Sequence, residues 1–306
     1  MRVLAHIHTH NEADFIEQAL RGLKRQTRPP DAIVIVDNVS TDGTLERTFP
    51  KTVTVIRNPV DLGTAGSVGV GFAHAIRREF DWTWVLDADS VPEPDALENL
   101  LAFFAGLPRQ QQQEVSFLAC RLAADSGEAG HRPIRLTRSG FEYVPRDARG
   151  YCLCDCFIWS GSLFRMEAVR KIGLPSADYV MDFAELEYGF RARRLGLTGY
   201  VVDSCVLHHD VGRPPGATGR TWRMGPFSFR LFELPPLRCY YHIRNLIYFW
   251  LHQCRPYRPR WVFRSILHAL IFPRTFAVRP FSHSAHFIAC LRGAWDGLTG
   301  HIERRY

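Results

Sequence analysis

Two aspartates, Asp87 and Asp89, flank Ala88 directly after the apolar run Trp82–Leu86. Placed at the end of a strand, both carboxylates can turn to one edge of a sheet. Paired hard oxygen ligands of that kind bind Mg²⁺ or Mn²⁺, ions that neutralise a diphosphate leaving group. An isolated Asp-x-Asp triplet is more often a solvated turn, but three other polar clusters here also follow apolar runs: Thr9-His10-Asn11-Glu12, Asp37-Asn38-Val39-Ser40 and Arg57-Asn58. Farther along, Asp182 and Glu185 stand three apart in a helical pattern over 182–195. They are expected to share one face, with Phe183, Leu186 and Phe190 on the other. That face can present an acid, although a first turn enriched in acids to suit the helix dipole is the plainer alternative. Glu187 and Arg191, at i and i+4, read as an ion pair.

The elements that must position these residues follow from periodicity. Residues 2–7, Ala32–Val36, Val53–Ile56 and Trp82–Leu86 read as buried strands, and Glu12–Lys24 and Gly66–Phe80 as the helices between them. Strands alternating with helices indicate a parallel, doubly wound sheet, whose ligand sits beyond the carboxyl ends of the strands. All four polar clusters fall there, as a nucleotide pocket requires. Residues 109–149, with the Gln110–Gln113 run, show no sustained period and read as an irregular insertion. Order resumes with two strand-like pieces around Ser160-Gly161-Ser162, a helix Met166–Ile172, and a last strand Gly199–Leu207 leading to His208-His209-Asp210.

Composition sets the outer limits. A chain of 306 residues with 46% hydrophobic content builds a substantial core and is not disordered. Cys152, Cys154 and Cys156 alternate along one strand face, a spacing that suits neither a zinc site nor a disulfide framework. The start runs straight into a strand, without the basic and apolar regions of a secretory signal. No uncharged apolar run approaches the ~20 residues a bilayer crossing needs. Of the net charge of +7, residues 235–306 carry +9, with eleven Arg, no Lys and two acids; the remainder sums to −2. Such a tail, interleaved with Tyr, Trp and Phe, can contact nucleic acid and fits an anionic membrane surface as well. Within it, Trp261–Phe272 reads as an amphipathic helix flanked by Arg258, Arg260 and Arg274, which can lie in a membrane interface, pack on its own domain, or meet a partner copy.

The stretch Ile33–Thr44, with Asp37-Asn38-Val39-Ser40-Thr41-Asp42-Gly43-Thr44, resembles the family 2 glycosyltransferases. That family's first strand ends in Thr-aromatic-Asn, its second in an Asp-Asn/Asp-x-Ser-x-Asp-Gly-Thr segment and its fourth in Asp-x-Asp; all three occur here in order, with His10 in the aromatic's place. Leu62–Gly69, containing Gly66, resembles the family's glycine loop, Ser160-Gly161 its acceptor side, His208-His209-Asp210-Val211-Gly212 its His-x-x-Gly element, and Tyr240–Asn245 the aromatic-Arg-Asn element that closes over the active site. The resemblance implies a GT-A (Rossmann-like, doubly wound mixed) sheet over 1–234, with a nucleotide-sugar half (1–108) and an acceptor half (150–234), and a helical, basic-aromatic extension over 235–306. It implies an inverting transfer in which Thr9–Asn11 and Asp37 hold the nucleobase, Asp87 the ribose side and Asp89 the metal, with His209 or His208 completing the metal site. Glu185, beside Asp182, becomes the base. The donor is a UDP- or dTDP-sugar, the acceptor a glycan or lipid-linked hydroxyl in cell-surface polysaccharide synthesis, and the place the cytoplasmic face of a membrane. A sugar nucleotidyltransferase is the nearest other enzyme, but Thr9-His10-Asn11-Glu12 is not its basic glycine-rich loop; a non-catalytic nucleotide-sugar-binding protein would keep the pocket and lack a base.

Overall fold

The computed structural model describes residues 1–123, 132–137, 140–145, 148–209, 220–224, 227–231, 235–254 and 284–303. Asp210–Gly212 and the segment Trp261–Phe272 with its flanking arginines lie outside the described residues. The chain divides into two compact units: Met1–Thr137, Phe141–Ala177 and Ala184–Val211 form the first, and Arg138–Gly140, Asp178–Phe183 and Gly212–Tyr306 the second.

The first unit is built on a nine-stranded mixed sheet. Strands β1 (Val3–Thr9), β2 (Ala32–Asp37), β3 (Val53–Arg57) and β4 (Trp82–Asp87) are parallel in the order β3-β2-β1-β4, connected by helices α1 (Ile16–Lys24) and α2 (Gly63–Arg77). In register, Thr9 stands opposite Asp37, and His8 opposite Asp87. The polar strand ends therefore meet on one edge. α1 buries Ile16, Ala19, Leu20 and Leu23, the i, i+3, i+4, i+7 stripe of an amphipathic helix. α2 starts three residues earlier than its sequence suggests, so the glycine loop forms its opening turns. Farther along α2, glycine serves close packing: a Cβ on Gly71 would come 2.7 Å from the buried His6 ring.

Beyond β4 come β5 (Ser90–Pro92), α3 (Ala96–Gly106), α4 (Arg109–Glu114), β6 (Val115–Leu122), the short pair β7 (Ile134–Thr137) and β8 (Gly140–Tyr143), β9 (Tyr151–Cys154), β10 (Ser162–Arg165), α5 (Met166–Ile172), α6 (Ala184–Arg194) and β11 (Thr198–His209). β10 runs antiparallel between β4 and β6, β11 lies parallel to β6, and β5 and β9 take the two ends of its outer edge. The expectation of an irregular insertion over 109–149 fails at β6, a central strand. Its run VSFLACRL is buried on both faces, so it lacks the alternation that marks a half-exposed strand.

The second unit holds the hairpin of β12 (Arg220–Met224) and β13 (Phe227–Leu231), and helices α7 (Pro236–Tyr248) and α8 (Ser284–Thr299). Cys239, Ile243, Ile247 and Cys290 form a core between these helices. Buried Arg244 lies over the Tyr241 ring and donates to the carbonyls of Asp178, Ile302 and Glu303, while Asn245 donates to those of Met181 and Asp182. No helix among the described residues is long and apolar enough to cross a membrane. All eight cysteines are buried.

Candidate functional site

A cleft of about 300 Å³ opens at the carboxyl edge of β1, β2 and β4. Its walls carry Thr9, His10, Glu12, Asn38, Asp87, Asp89, Ser160, Glu185 and His209, residues drawn from separate elements of the first unit. Asp87 ends β4 and Asp89 leads into β5. The antiparallel pairing of β5 with β11 then sets His209 opposite Ser90. One ligand atom each from Asp87, Asp89 and His209 lies within 4.8 Å of the others. His209 Nδ1 is 3.2 Å from Asp89 Oδ1 and 2.8 Å from Ser90 Oγ, and Ser90 Oγ is 2.7 Å from Ser160 Oγ, which accepts from the Asp87 backbone N–H at 3.0 Å. Adjacent residues on a strand face opposite ways, and His208 turns from this cluster to Glu93, 2.7 Å away.

Charge in the cleft is concentrated. Burial pushes the Glu12 carboxyl up to about 7, with Asp87 and Asp89 adding to the rise. On β1, burial alone would keep His8 neutral, but the Asp87 carboxylate 2.7 Å from its Nε2 outweighs this and raises its pKa. The neighbouring His6 is held well below its ordinary value by burial and then by His8. Two carboxylates and an imidazole converging beside a third acid form a donor set that suits a hard divalent cation such as Mn²⁺ or Mg²⁺.

The loops around the cleft are fixed by their own side chains. Asp37 is buried and accepts from the Ser40 N–H at 3.2 Å, with Arg57 Nε 3.5 Å away. Ser40 Oγ accepts from the Asn11 N–H at 2.9 Å, and Asn11 Oδ1 from the Thr41 N–H at 2.7 Å. Asn38 Oδ1 accepts from the Leu62 N–H at 2.7 Å and from Asn58 Nδ2 at 3.2 Å, tying the second loop to the opening of α2. His10 donates from Nδ1 to the Asn38 carbonyl at 2.7 Å.

A family model described as "Glycosyl transferase family 2" matches residues 5–173, more than half of the chain. The chain belongs to glycosyl transferase family 2. It is 28% identical over 224 residues to galactofuranosyltransferase GlfT1 of Mycobacterium tuberculosis, covering 67% of this chain and 69% of that one. It is 31% identical to the undecaprenyl-phosphate mannosyltransferase of Micrococcus luteus over 221 residues, 69% of this chain and 86% of that one. Among solved structures, its fold resembles GalNAc-T7 with UDP, GalNAc and Mn²⁺ (TM-score 0.64, 13% identity, 98% of this chain and 56% of that one). It also resembles the mannosyltransferase PcManGT of Pyrobaculum calidifontis with GDP-Man and Mn²⁺ (TM-score 0.55, 17% identity, 97% and 87%). These neighbours confirm the GT-A fold.

Against that family pattern the expected residues other than Asp182 and His208 sort into two groups. Nine of them line the cleft, as given above; Asn11, Asp37, Ser40, Arg57, Asn58, Gly66, Ala88 and Gly161 do not, and act as its frame. Gly161 illustrates the frame, because its φ of +76° and a Cβ–Leu207 approach of 2.8 Å admit no side chain. The expected shared helix face of Asp182 and Glu185 is not found. α6 begins at Ala184, and Asp182 and Phe183 have φ of +50° and +66°, so Asp182 stands outside the helix. Its carboxylate meets Arg238 and His242, each at 3.2 Å. Glu185 remains in the first turn of α6, whose Glu187 pairs with Arg191 at 2.7 Å as expected. His8 and Ser90 were missed. The signal for His8 was available: His6-Ile7-His8 places imidazoles in the interior of an otherwise apolar strand, where a polar side chain needs a partner.

Proposed function

We propose that this family 2 enzyme is an inverting, metal-dependent glycosyltransferase that moves a sugar from a UDP- or dTDP-sugar to a hydroxyl of a glycan or lipid-linked acceptor, in cell-surface polysaccharide synthesis at the cytoplasmic face of a membrane. The observation that carries this reading is that Glu185 and the Asp87–Asp89–His209 cluster line one cleft. Residues 1–234 supply the catalytic domain and residues 235–306 an extension. The GlfT1 relatives, named as galactofuranosyltransferases, support the polysaccharide setting.

In this mechanism Asp87, Asp89 and His209 would hold a divalent cation, whose charge would neutralise the departing diphosphate. His10 and Asn38 flank the nucleoside, on loops locked by Asp37 and Ser40. Glu185 accepts the proton of the acceptor hydroxyl. As that proton leaves, the oxygen forms its bond to the anomeric carbon and the bond to the diphosphate breaks on the opposite side, inverting the centre. Ser160 lines the acceptor side. Replacing Glu185 with Gln preserves shape and removes the base. Turnover measured with a panel of UDP- and dTDP-sugars and Mn²⁺ should fall by about 10²-fold or more, while calorimetric donor affinity holds. A variant that transfers at the wild-type rate overturns the assignment of the base.

A further inference from the structure

Helix α8 carries its small residues inward and its large apolar residues outward. A Cβ on Gly293 would come 2.5 Å from the Tyr240 carbonyl oxygen, and one on Gly297 would come 2.8 Å from that of Arg244, so glycine at both positions lets α8 lie directly on the backbone of α7. Asp296, the helix's one acid, also turns inward; it is buried and accepts from the Tyr240 hydroxyl at 2.7 Å. The outer face presents Phe287, Ile288, Leu291, Trp295 and Leu298, each 41–67% exposed. At about 100° per residue these five fall in one continuous sector, bordered by exposed Arg292. A helix facing water has the opposite arrangement, and an apolar patch of this kind marks a contact surface.

We propose that this face of α8 docks the protein on an anionic lipid bilayer, lying in the boundary between headgroups and acyl chains. Three observations choose lipid over other occupants. Glycines facing a neighbouring helix and bulky residues facing away are the packing used where lipid surrounds a helix. Residues 235–306 carry a net charge of +9, which draws the segment to anionic headgroups and opposes pairing with a second copy of itself. The 16 residues of α8 rise about 24 Å, short of the ~30 Å hydrocarbon core, so the helix lies along the interface rather than across it. The proposal adds a surface to the function above and does not depend on sugar transfer, because docking is read without donor or acceptor.

The whole chain is sedimented with phosphatidylcholine vesicles with and without phosphatidylglycerol. The wild type should pellet with the anionic vesicles, and the double variant Leu291→Asp/Trp295→Asp should partition about tenfold more weakly or less. Leu195→Asp, which alters an exposed apolar residue of the first unit, should bind vesicles as the wild type does. Unchanged melting and UDP–Mn²⁺ affinity certify the double variant as folded; if it is not, Leu291→Ser/Trp295→Ser takes its place with the same expectation. Vesicle binding that survives the substitutions overturns the proposal, as does a wild type that ignores anionic vesicles. A wild type that forms a dimer split by the same substitutions assigns the face to a second copy and overturns it too. Loss of donor binding with vesicle binding intact would count against the cleft and leave this surface standing.

Discussion

Individual side chains in the cleft act through the acids they hold. His8 is partly buried on β1 and its Nε2 reaches Asp87, while its Nδ1 has no hydrogen-bond partner. Its contribution is therefore concentrated on the orientation of one carboxylate. Residues that orient a metal ligand typically matter 10–100-fold in metal affinity. His8→Leu should accordingly weaken Mn²⁺ affinity by about tenfold, read by titration calorimetry with UDP present; unchanged affinity would show that Asp87 needs no such support. Asp182 makes the opposite case, an acid whose neighbours give it a structural task. Burial would raise its pKa, but the His242 hydrogen bond and the Arg238 charge prevail and hold it down at about 2. A depressed folded-state pKa contributes stability above the unfolded value near 3.9, and that contribution disappears as pH falls toward 2. Asp182→Asn should thus cost about 2 kcal/mol at neutral pH, and the melting curves of variant and wild type should converge only as the pH falls to about 2. A variant that loses turnover without losing stability would restore Asp182 to the chemistry.

At the scale of elements, the place of Glu185 depends on how closely α6 approaches the chain beneath it. A Cβ on Gly189 would sit 2.2 Å from the Asp155 carbonyl oxygen, a backbone atom that cannot swing aside. Arg191 locks the same helix by donating to the Ile172 and Leu174 carbonyls, each at 3.0 Å. Gly189→Ala must lift the helix, at a cost of about 1–3 kcal/mol for overpacking. Transfer rate should fall while donor affinity, set by β1, β2 and β4, changes little; a variant with wild-type turnover would mean that α6 tolerates the shift. Elements also show what the sequence could convey. The four parallel strands and their polar ends were legible because each ends in a cluster of hydrophilic residues after a predominantly apolar run. β6 was hidden by the charged and Gln-rich residues before it, and the start of α6 by two left-handed residues that no periodicity announces. The neighbours of Asp182, 56 and 60 residues away in the chain, were likewise beyond reach, whereas Glu187 and Arg191 declared themselves through helical spacing.

For the whole molecule, the decisive feature is that the first unit brings Glu12, Asp87, Asp89 and Glu185 to one cleft, a concentration of negative charge that a cation would relieve. Glu12 is pushed up to about 7 chiefly by burial, and Asp87 and Asp89 add to the rise. A ligand that binds the folded chain and not the unfolded one stabilises it by about 2.7 kcal/mol at a hundred times its dissociation constant. UDP with Mn²⁺ should therefore raise the calorimetric melting midpoint by several degrees, and neither component alone should match the pair if, as proposed, the diphosphate and the carboxylates share the ion. On the proposed reading, Asp89→Asn should remove most of the Mn²⁺-dependent part, because it withdraws a carboxylate from the Asp87–Asp89–His209 cluster, whereas Glu185→Gln should keep it, because the proposed base would act on the acceptor and not on the ion. An equal rise with UDP in the presence of EDTA would detach nucleotide binding from the metal, and with it the link between the acids of the sheet edge and the departing diphosphate.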